Sequence, residues 1–260
     1  MKSITVLGAG NAGCAAAAHL TLMGFSVSMF NRWESELAPI REKGGIHVKG
    51  AVGEGFAEIK TVTTDIEEAA EGADFFLVVA PALAHDYFAT QLARVIGRKG
   101  ATIMLNPGHT GGALHFMQSL RKAGVDSEVR ICETNTNTYI CRLTGAAEVT
   151  VYGLARKVLF GALPGKYTDE RAETVRSIYP FISPVESVLD TGFANVNAIM
   201  HPAGMLLNAG RIERKKGGFT FYDKGTTEAV GRAIDALDLE RLNVMKSLGL
   251  APIPFVDVFY

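Results

Sequence analysis

Up to Pro184 the chain alternates short apolar runs with longer stretches whose apolar residues recur at helical spacing. The runs lie at 4–7, 26–30, 74–80, 101–105 and 128–132, and most of their residues are β-branched, aliphatic or aromatic. Runs of this kind are strands buried on both faces, the pattern of a parallel sheet. Between them, 14–23, 34–43, 82–96 and 113–123 read as helices, the first rich in alanine and the second stopped by Gly44-Gly45. Strands at 46–48 and 56–62 around the glycine-rich turn 50–55 read as an added hairpin. An acidic helix is expected over 65–71, with Asp65 or Thr64 as its cap. Closing strands at 149–152 and 157–162 and a helix at 169–179, capped by Thr168, complete the alternation. Beyond Ser183-Pro184 the periodicity is almost wholly helical, with one helix through 195–211 and another over 223–248. On the latter, Leu237, Leu242, Met245 and Leu248 form a stripe expected in a core or dimer contact. The pattern predicts an α/β chain with a doubly wound sheet over 1–184 and a mostly helical second domain over 185–260.

The first strand ends in Gly8-Ala9-Gly10-Asn11-Ala12-Gly13 and passes without a gap into the alanine-rich helix. Strand, GxGxxG and helix in succession are the context that makes this a Rossmann-type dinucleotide fingerprint rather than an ordinary glycine turn. Gly8 permits the tight turn, Gly10 admits a pyrophosphate to the backbone, and Gly13 lets the helix lie close on the sheet. The free N–H groups of Asn11, Ala12 and Gly13 face the anion. The second strand ends at Asn31-Arg32, where NAD-specific sites carry an acidic residue that bonds the ribose 2′-hydroxyl. A carboxylate repels a 2′-phosphate, whereas Arg32 offers it a planar fork of donors. A charged hydrogen bond of about 1.5–3 kcal/mol gives roughly tenfold to hundredfold preference. NADP(H) is therefore expected over NAD(H). Pro81, after the run 74–80, is placed beside the cofactor. His85 is expected on a helix surface, with proximity to the cofactor as the alternative.

Composition narrows the classes. The chain of 260 residues is 48% hydrophobic and 20% charged with formal net charge −1, so nothing marks a nucleic-acid footprint. No apolar run is long enough for a helix to span a bilayer. The first strand starts too early to leave room for a secretory signal, and the three cysteines fit no zinc spacing. A cytoplasmic enzyme with reduced thiols and no metal is expected.

Two polar stretches follow buried strands. Residues 106–112, NPGHTGG, suit a wall beside the nicotinamide ribose, with His109 or Thr110 directed at the substrate. Residues 133–142, ETNTNTYICR, place uncharged donors and acceptors together, suited to orienting a polar substrate, with Arg142 suited to a carboxylate. In the helical part, Asn197, His201 and Asn208 are four and seven residues apart and share one helix face. Pro202 removes a helix hydrogen bond and clashes with the preceding turn, at about 3 kcal/mol. A kink there is expected to expose the His201 imidazole, the side chain best suited to proton transfer near neutral pH.

The pieces GAGNAG (8–13), LNPGHTGGALHF (105–116), ETNTNTYICR (133–142), NVNAIMHP (195–202), LLNAGRIE (206–213) and FTFYDKGTTEAVG (219–231) together resemble the NAD/NADP-dependent opine dehydrogenase family. That family includes the octopine, nopaline and N-(1-carboxyethyl)norvaline dehydrogenases. The resemblance covers almost the whole chain, and Asn-x-x-x-His-Pro is its most specific piece. It implies joining an amino acid's amine to an α-keto acid as an imine, then reducing the imine with hydride from the nicotinamide. It also implies a catalytic acid/base at His201, a substrate-side residue at Thr134 and a substrate-flanking loop at His109; the shared helix face adds Asn197 as a catalytic candidate and Asn208 as a substrate contact. A homodimer is expected. NAD-preferring relatives carry an acid at the position of Asn31. Relatives also continue beyond the point matching Tyr260, with further helices, a carboxylate partner for the histidine and a substrate-binding arginine. The chain is therefore expected to be part of a longer protein or a truncated form, its substrate half open with apolar surface exposed. The competing readings are a ketopantoate- or glycerol-phosphate-type reductase, which resemblance associates with a lysine on the second-domain helix, and a non-catalytic NADPH-sensing protein.

Overall fold

The computed structural model describes residues 3–96, 101–127 and 129–259. The chain divides into two compact units, Met1–Gly192 and Phe193–Tyr260. The main sheet of the first unit contains β1 (Ser3–Leu7), β2 (Ser26–Phe30), β5 (Thr61–Thr63), β6 (Phe75–Val78), β7 (Thr102–Leu105), β8 (Arg130–Thr134), β11 (Val158–Leu163) and β12 (Ile182–Pro184). A second sheet contains β3 (Gly45–Gly50), β4 (Gly55–Glu58), β9 (Tyr139–Gly145) and β10 (Glu148–Leu154). The main sheet runs β12-β11-β8-β7-β6-β1-β2-β5, parallel except where β11 meets β8. From β1 the chain builds outward to β2 and then returns to the other side with β6. The crevice at the carboxyl ends of β1 and β6 is thus the switch point of an open α/β sheet, where ligands sit.

The buried runs behave as their composition dictates. Phe30, Phe75 and Phe160 are fully buried, each worth roughly 1.5–3 kcal/mol. Thr5, a polar residue inside β1, is satisfied by donating to the Ala69 carbonyl at 2.7 Å. Helix α1 (Asn11–Leu22) explains its alanines: Ala15, Ala16, Ala17 and Ala18 are all inaccessible, within a core that also includes Met29 of the main sheet and Ile46 and Val149 of the second. Small side chains let the layers approach. Helices α2 (Glu34–Lys43), α3 (Ile66–Ala69), α4 (His85–Ala93), α5 (Gly112–Lys122) and α6 (Thr168–Arg176) complete the alternation, with α7 (Val188–Phe193) after β12. Asp65 caps α3 by accepting from Glu67 N.

Several boundaries differ from the sequence reading. The run 56–62 splits between two sheets, because Lys60 N–H donates to Val27 O at 3.0 Å and draws the chain onto the edge of β2. The strand at 149–152 belongs to the second sheet, where β10 pairs parallel with β3 and antiparallel with β9. Strand β9 occupies part of a stretch read only as polar. The strand predicted over 128–132 starts at Glu128, outside the described residues, and extends to Thr134. Thr168 does not cap α6; its hydroxyl accepts from Ala162 N at 3.0 Å.

The second unit holds α8 (Asn197–Leu207), α9 (Ala209–Lys215), α10 (Glu228–Ser247) and α11 (Phe255–Phe259). Val196, Ile199, Met200 and Ala203 pack with Val230 and Ile234 of α10. A single helix over 223–248 does not form. Residues Phe221–Gly225 make a wider turn, and Thr227 caps α10 by accepting from Val230 N. Along the expected stripe Met245 is buried, while Leu237 and Leu248 are exposed. Arg241 pairs with Asp238 at 2.6 Å inside the unit and donates to the carbonyls of Phe193 and Ile253.

Candidate functional site

In the first unit the glycine-rich turn is dictated by its neighbours. Gly8 has φ +118°, and a Cβ there would lie 2.3 Å from Val79 O. A Cβ on Gly13 would lie 2.1 Å from Gly8 O, so the start of α1 rests directly on the turn. Gly10 is different, because nothing stands within 4 Å of where its Cβ would be. That open side is what a pyrophosphate needs. Cys14 N, bonded to Gly10 O at 3.0 Å, opens the helical ladder, which leaves the N–H groups before it for an anion. Ala12 is half-buried against the core. Asn11 has a structural bond as well: its Oδ1 accepts from Leu143 N at 2.7 Å, tying α1 to β9.

Beside this turn lies a cleft of about 500 Å³ lined by residues after β1, β2 and β6, among them Gly10, Asn31, Arg32, Trp33, Pro81 and Tyr87. The Arg32 guanidinium lies 4.6 Å from the Trp33 ring centroid and 5.1 Å from that of Tyr87. It makes no ion pair among the described residues, so two aromatic faces hold its fork while its donors stay free. Asn31 is buried, and its amide donates to Glu36 Oε2 at 2.6 Å. An open glycine, unbonded helix N–H groups and an aromatic-braced arginine fit a dinucleotide.

A second group of polar residues gathers at the carboxyl ends of β7 and β8. Asn106 is inaccessible; it donates to Thr138 Oγ1 and accepts from Thr138 N and the Thr134 hydroxyl. Thr134 is likewise inaccessible, so it braces Asn106. Thr110 donates to Gly192 O at 3.1 Å. His109 is half-buried at φ 62°, with Nε2 buried and unbonded among the described residues. Burial lowers its pKa, with the Ala80 backbone opposing.

His85 departs from expectation. It is buried rather than on a helix surface, because α4 turns its first residue against Phe116 and His109, with ring centroids 5.8 Å from each. Neither ring nitrogen has a hydrogen bond of normal geometry among the described residues. Burial pushes its pKa down to about 4, aided by His109 and His115 and opposed by the Ala80 backbone and Asp86.

Glu133 is the functional-looking residue that pattern reading left without a role. It is inaccessible, accepts from Ala113 N at 2.8 Å and lies 2.6 Å from Thr191 Oγ1. Burial pushes its pKa up to about 7 against the lowering effect of those two bonds. A charge ending the apolar run 131–132 was the available signal. Arg142 stands on the exposed side of β9 opposite Thr150, because the pleat turns Tyr139 and Cys141 inward instead.

In the second unit α8 continues through His201 and Pro202 to Leu207, so the proline does not end the helix. His201 is half-buried. Its Nε2 lies 3.3 Å from Tyr222 Oη, and its ring lies 5.3 Å from that of Phe221. Gly204 permits this approach, since a Cβ there would be 2.5 Å from the Phe221 ring. Asn197 is exposed one turn before His201. Asn208 is buried and spends both amide hydrogens on Gly204 O and Gly225 O, which pins the turn carrying Tyr222. Tyr222 carries no signal of its own in the sequence beyond the stretch 219–231, because its contact with His201 is tertiary.

A family model described as NAD/NADP octopine/nopaline dehydrogenase, alpha-helical domain, matches residues 184–260. One described as NAD-dependent glycerol-3-phosphate dehydrogenase N-terminus matches 3–134. Opine dehydrogenase from Arthrobacter sp. (strain 1C) is 38% identical over 259 residues, covering 100% of this chain and 71% of that protein. A solved yersinopine dehydrogenase with NADP+ bound aligns at TM-score 0.80 and 14% identity, covering 99% of this chain and 66% of that one. An octopine dehydrogenase solved with NADH and L-arginine aligns at 0.77 and 19%, covering 99% and 67%. At such identities these two structures speak for the fold alone. Sequence kinship carries the assignment: the chain belongs to the opine dehydrogenase family, NAD(P)-dependent oxidoreductases acting on CH–NH groups.

Proposed function

We propose that this protein condenses the amine of an amino acid with an α-keto acid and reduces the resulting imine, with NADPH favoured over NADH. The observation that carries the cofactor preference is Arg32, stacked between Trp33 and Tyr87 with its donors free, beside an amide instead of an acid at the end of β2. NADPH supplies the hydride when bound. Gly10 and the first N–H groups of α1 receive the pyrophosphate, and Arg32 the 2′-phosphate.

His201 moves the protons: it protonates the departing oxygen as water leaves the amine–keto acid adduct. The Tyr222 hydroxyl holds its Nε2 and fixes the ring. Asn197 offers an uncharged donor and acceptor to the amino acid. His109 faces the substrate from the wall after β7, and Thr134 acts through Asn106 as a positioning residue. A lysine-based reductase fits less well, since α8 contains no lysine. A homodimer in the cytoplasm completes the reading, favoured by exposed Leu206 and Leu207 and by three unpaired cysteines.

His201→Ala tests the catalytic assignment: NADPH affinity stays within about twofold while turnover falls about a hundredfold or more. Unchanged turnover overturns it. Arg32→Ala weakens NADPH by about tenfold to a hundredfold and NADH little. Equal loss for both cofactors removes Arg32 from phosphate recognition.

A further inference from the structure

The end of β2 carries an amide whose orientation is set by a neighbour. Asn31 is 95% buried, with 5% of its surface exposed, yet it lines the cleft. Its Nδ2 donates to Glu36 Oε2 at 2.6 Å and more distantly to Trp33 O at 3.5 Å. Both amide hydrogens are therefore directed away, and Oδ1 has no partner among the described residues. A carboxylate accepts and never donates at neutral pH, so Glu36 dictates which end of the amide faces it. Glu36 is itself well placed in the first turn of α2, where the helix dipole favours negative charge. A glutamate at this third helical position ordinarily reaches back to a backbone N–H. Here it reaches the Asn31 side chain.

We propose that Glu36 is a positioning residue that turns the Asn31 carbonyl toward the adenosine ribose, giving the cleft an NADH mode beside the NADPH mode of Arg32. A carbonyl oxygen accepts from a ribose 2′-hydroxyl as a carboxylate does but carries no net charge of its own, and the Glu36 carboxylate, which also lines the cleft, is engaged by the Asn31 amide. The site thus discriminates between the cofactors less sharply than one with an acid at the end of β2. This inference rests on the dinucleotide reading of the cleft.

The test uses Trp33, the only tryptophan in the sequence and part of the cleft wall. Energy transfer from Trp33 to the bound reduced nicotinamide gives dissociation constants for NADH and NADPH without turnover. Glu36→Ala releases the amide and raises the NADH constant about fivefold, the scale of one neutral hydrogen bond, while the NADPH constant stays or falls. Glu36→Gln keeps an acceptor for Asn31, so NADH binding stays within about twofold of wild type. Equal changes for both cofactors in Glu36→Ala, or Glu36→Gln behaving like Glu36→Ala, overturn the proposal. Should Glu36→Ala not fold, Asn31→Ala decides by the same ratio: selective loss of NADH supports the role, and parallel loss removes it. No energy transfer with either cofactor in the wild type refutes the dinucleotide cleft itself, a different failure from an unchanged ratio.

Discussion

Glu133→Gln probes the most costly group in the wall behind the candidate site. Glu133 is inaccessible, and its pKa rises from the ordinary carboxylate range to about 7. Burial is the cause, outweighing the Thr191 and Ala113 bonds that favour the charged form, and the neutral acid still finds partners. Thr191 Oγ1 lies 2.6 Å from Glu133 Oε1 and 3.0 Å from Val188 O, and its single hydrogen serves only one of them. If the carboxyl holds the proton and donates to Thr191, Thr191 donates to Val188 and both contacts are satisfied. Because the folded pKa is raised, the stabilisation is fully present below the unfolded value of about 4.5 and is lost as pH rises through 7. At about 1.4 kcal/mol per pH unit, the loss across this window is about 3 kcal/mol. A glutamine amide donates to Thr191 in the same way at every pH. Urea midpoints at several pH values from 5 to 8 should give similar stabilities for the two proteins at the acid end, with the variant more stable by about 2–3 kcal/mol at the alkaline end. The difference between the two curves is the informative quantity. His85, held down at about 4, contributes stability present above 6.5 and lost as pH falls, the opposite slope over the lower part of the range. Parallel curves for wild type and variant refute the reasoning.

The glycine turn predicts a contrast. Gly13→Ala drives a methyl to 2.1 Å from Gly8 O and should lower stability by about 1–3 kcal/mol or prevent folding, read by thermal melting. Gly10→Ala meets nothing within 4 Å in the protein, so the melting point should hold while NADPH affinity falls. Tyr222→Phe keeps the ring packing on Phe221 but removes the hydroxyl at His201 Nε2, so turnover should fall less than in His201→Ala and its pH profile should move. An unchanged profile assigns Tyr222 to packing alone.

The parallel strands were legible because a strand covered on both faces is dominated by apolar residues, and β1, β2, β6 and β7 each announce themselves that way, with only small hydroxyl residues such as Thr5 and Ser28 among them. The glycine fingerprint was legible for the same local reason: Gly8 and Gly13 answer to atoms within a few residues or on the adjacent strand. Strand β9 was not. Only Tyr139 and Cys141 face inward, the run is framed by polar residues, and β10, its partner, pairs with a strand about a hundred residues earlier. His85 was placed on a surface because a helix start after Pro81 looks exposed until α5 and the 106–112 turn are folded against it. Pro202 does not end the helix: its missing hydrogen bond is tolerated inside α8, which continues to Leu207. The Tyr222 contact depends on Gly204 and Asn208, which bring a wide turn onto the helix from outside its own periodicity.

The central claim is amine-dependent reduction, and NADPH oxidation by the purified protein tests it most directly. The assay compares an α-keto acid alone with the same acid plus each of a panel of amino acids, beginning with pyruvate and L-arginine. Rapid oxidation only when amine and keto acid are both present, with a secondary amine product in equal amount, is the predicted result. Oxidation by the keto acid alone, undiminished without any amine, contradicts the account and returns the protein to the keto acid reductases.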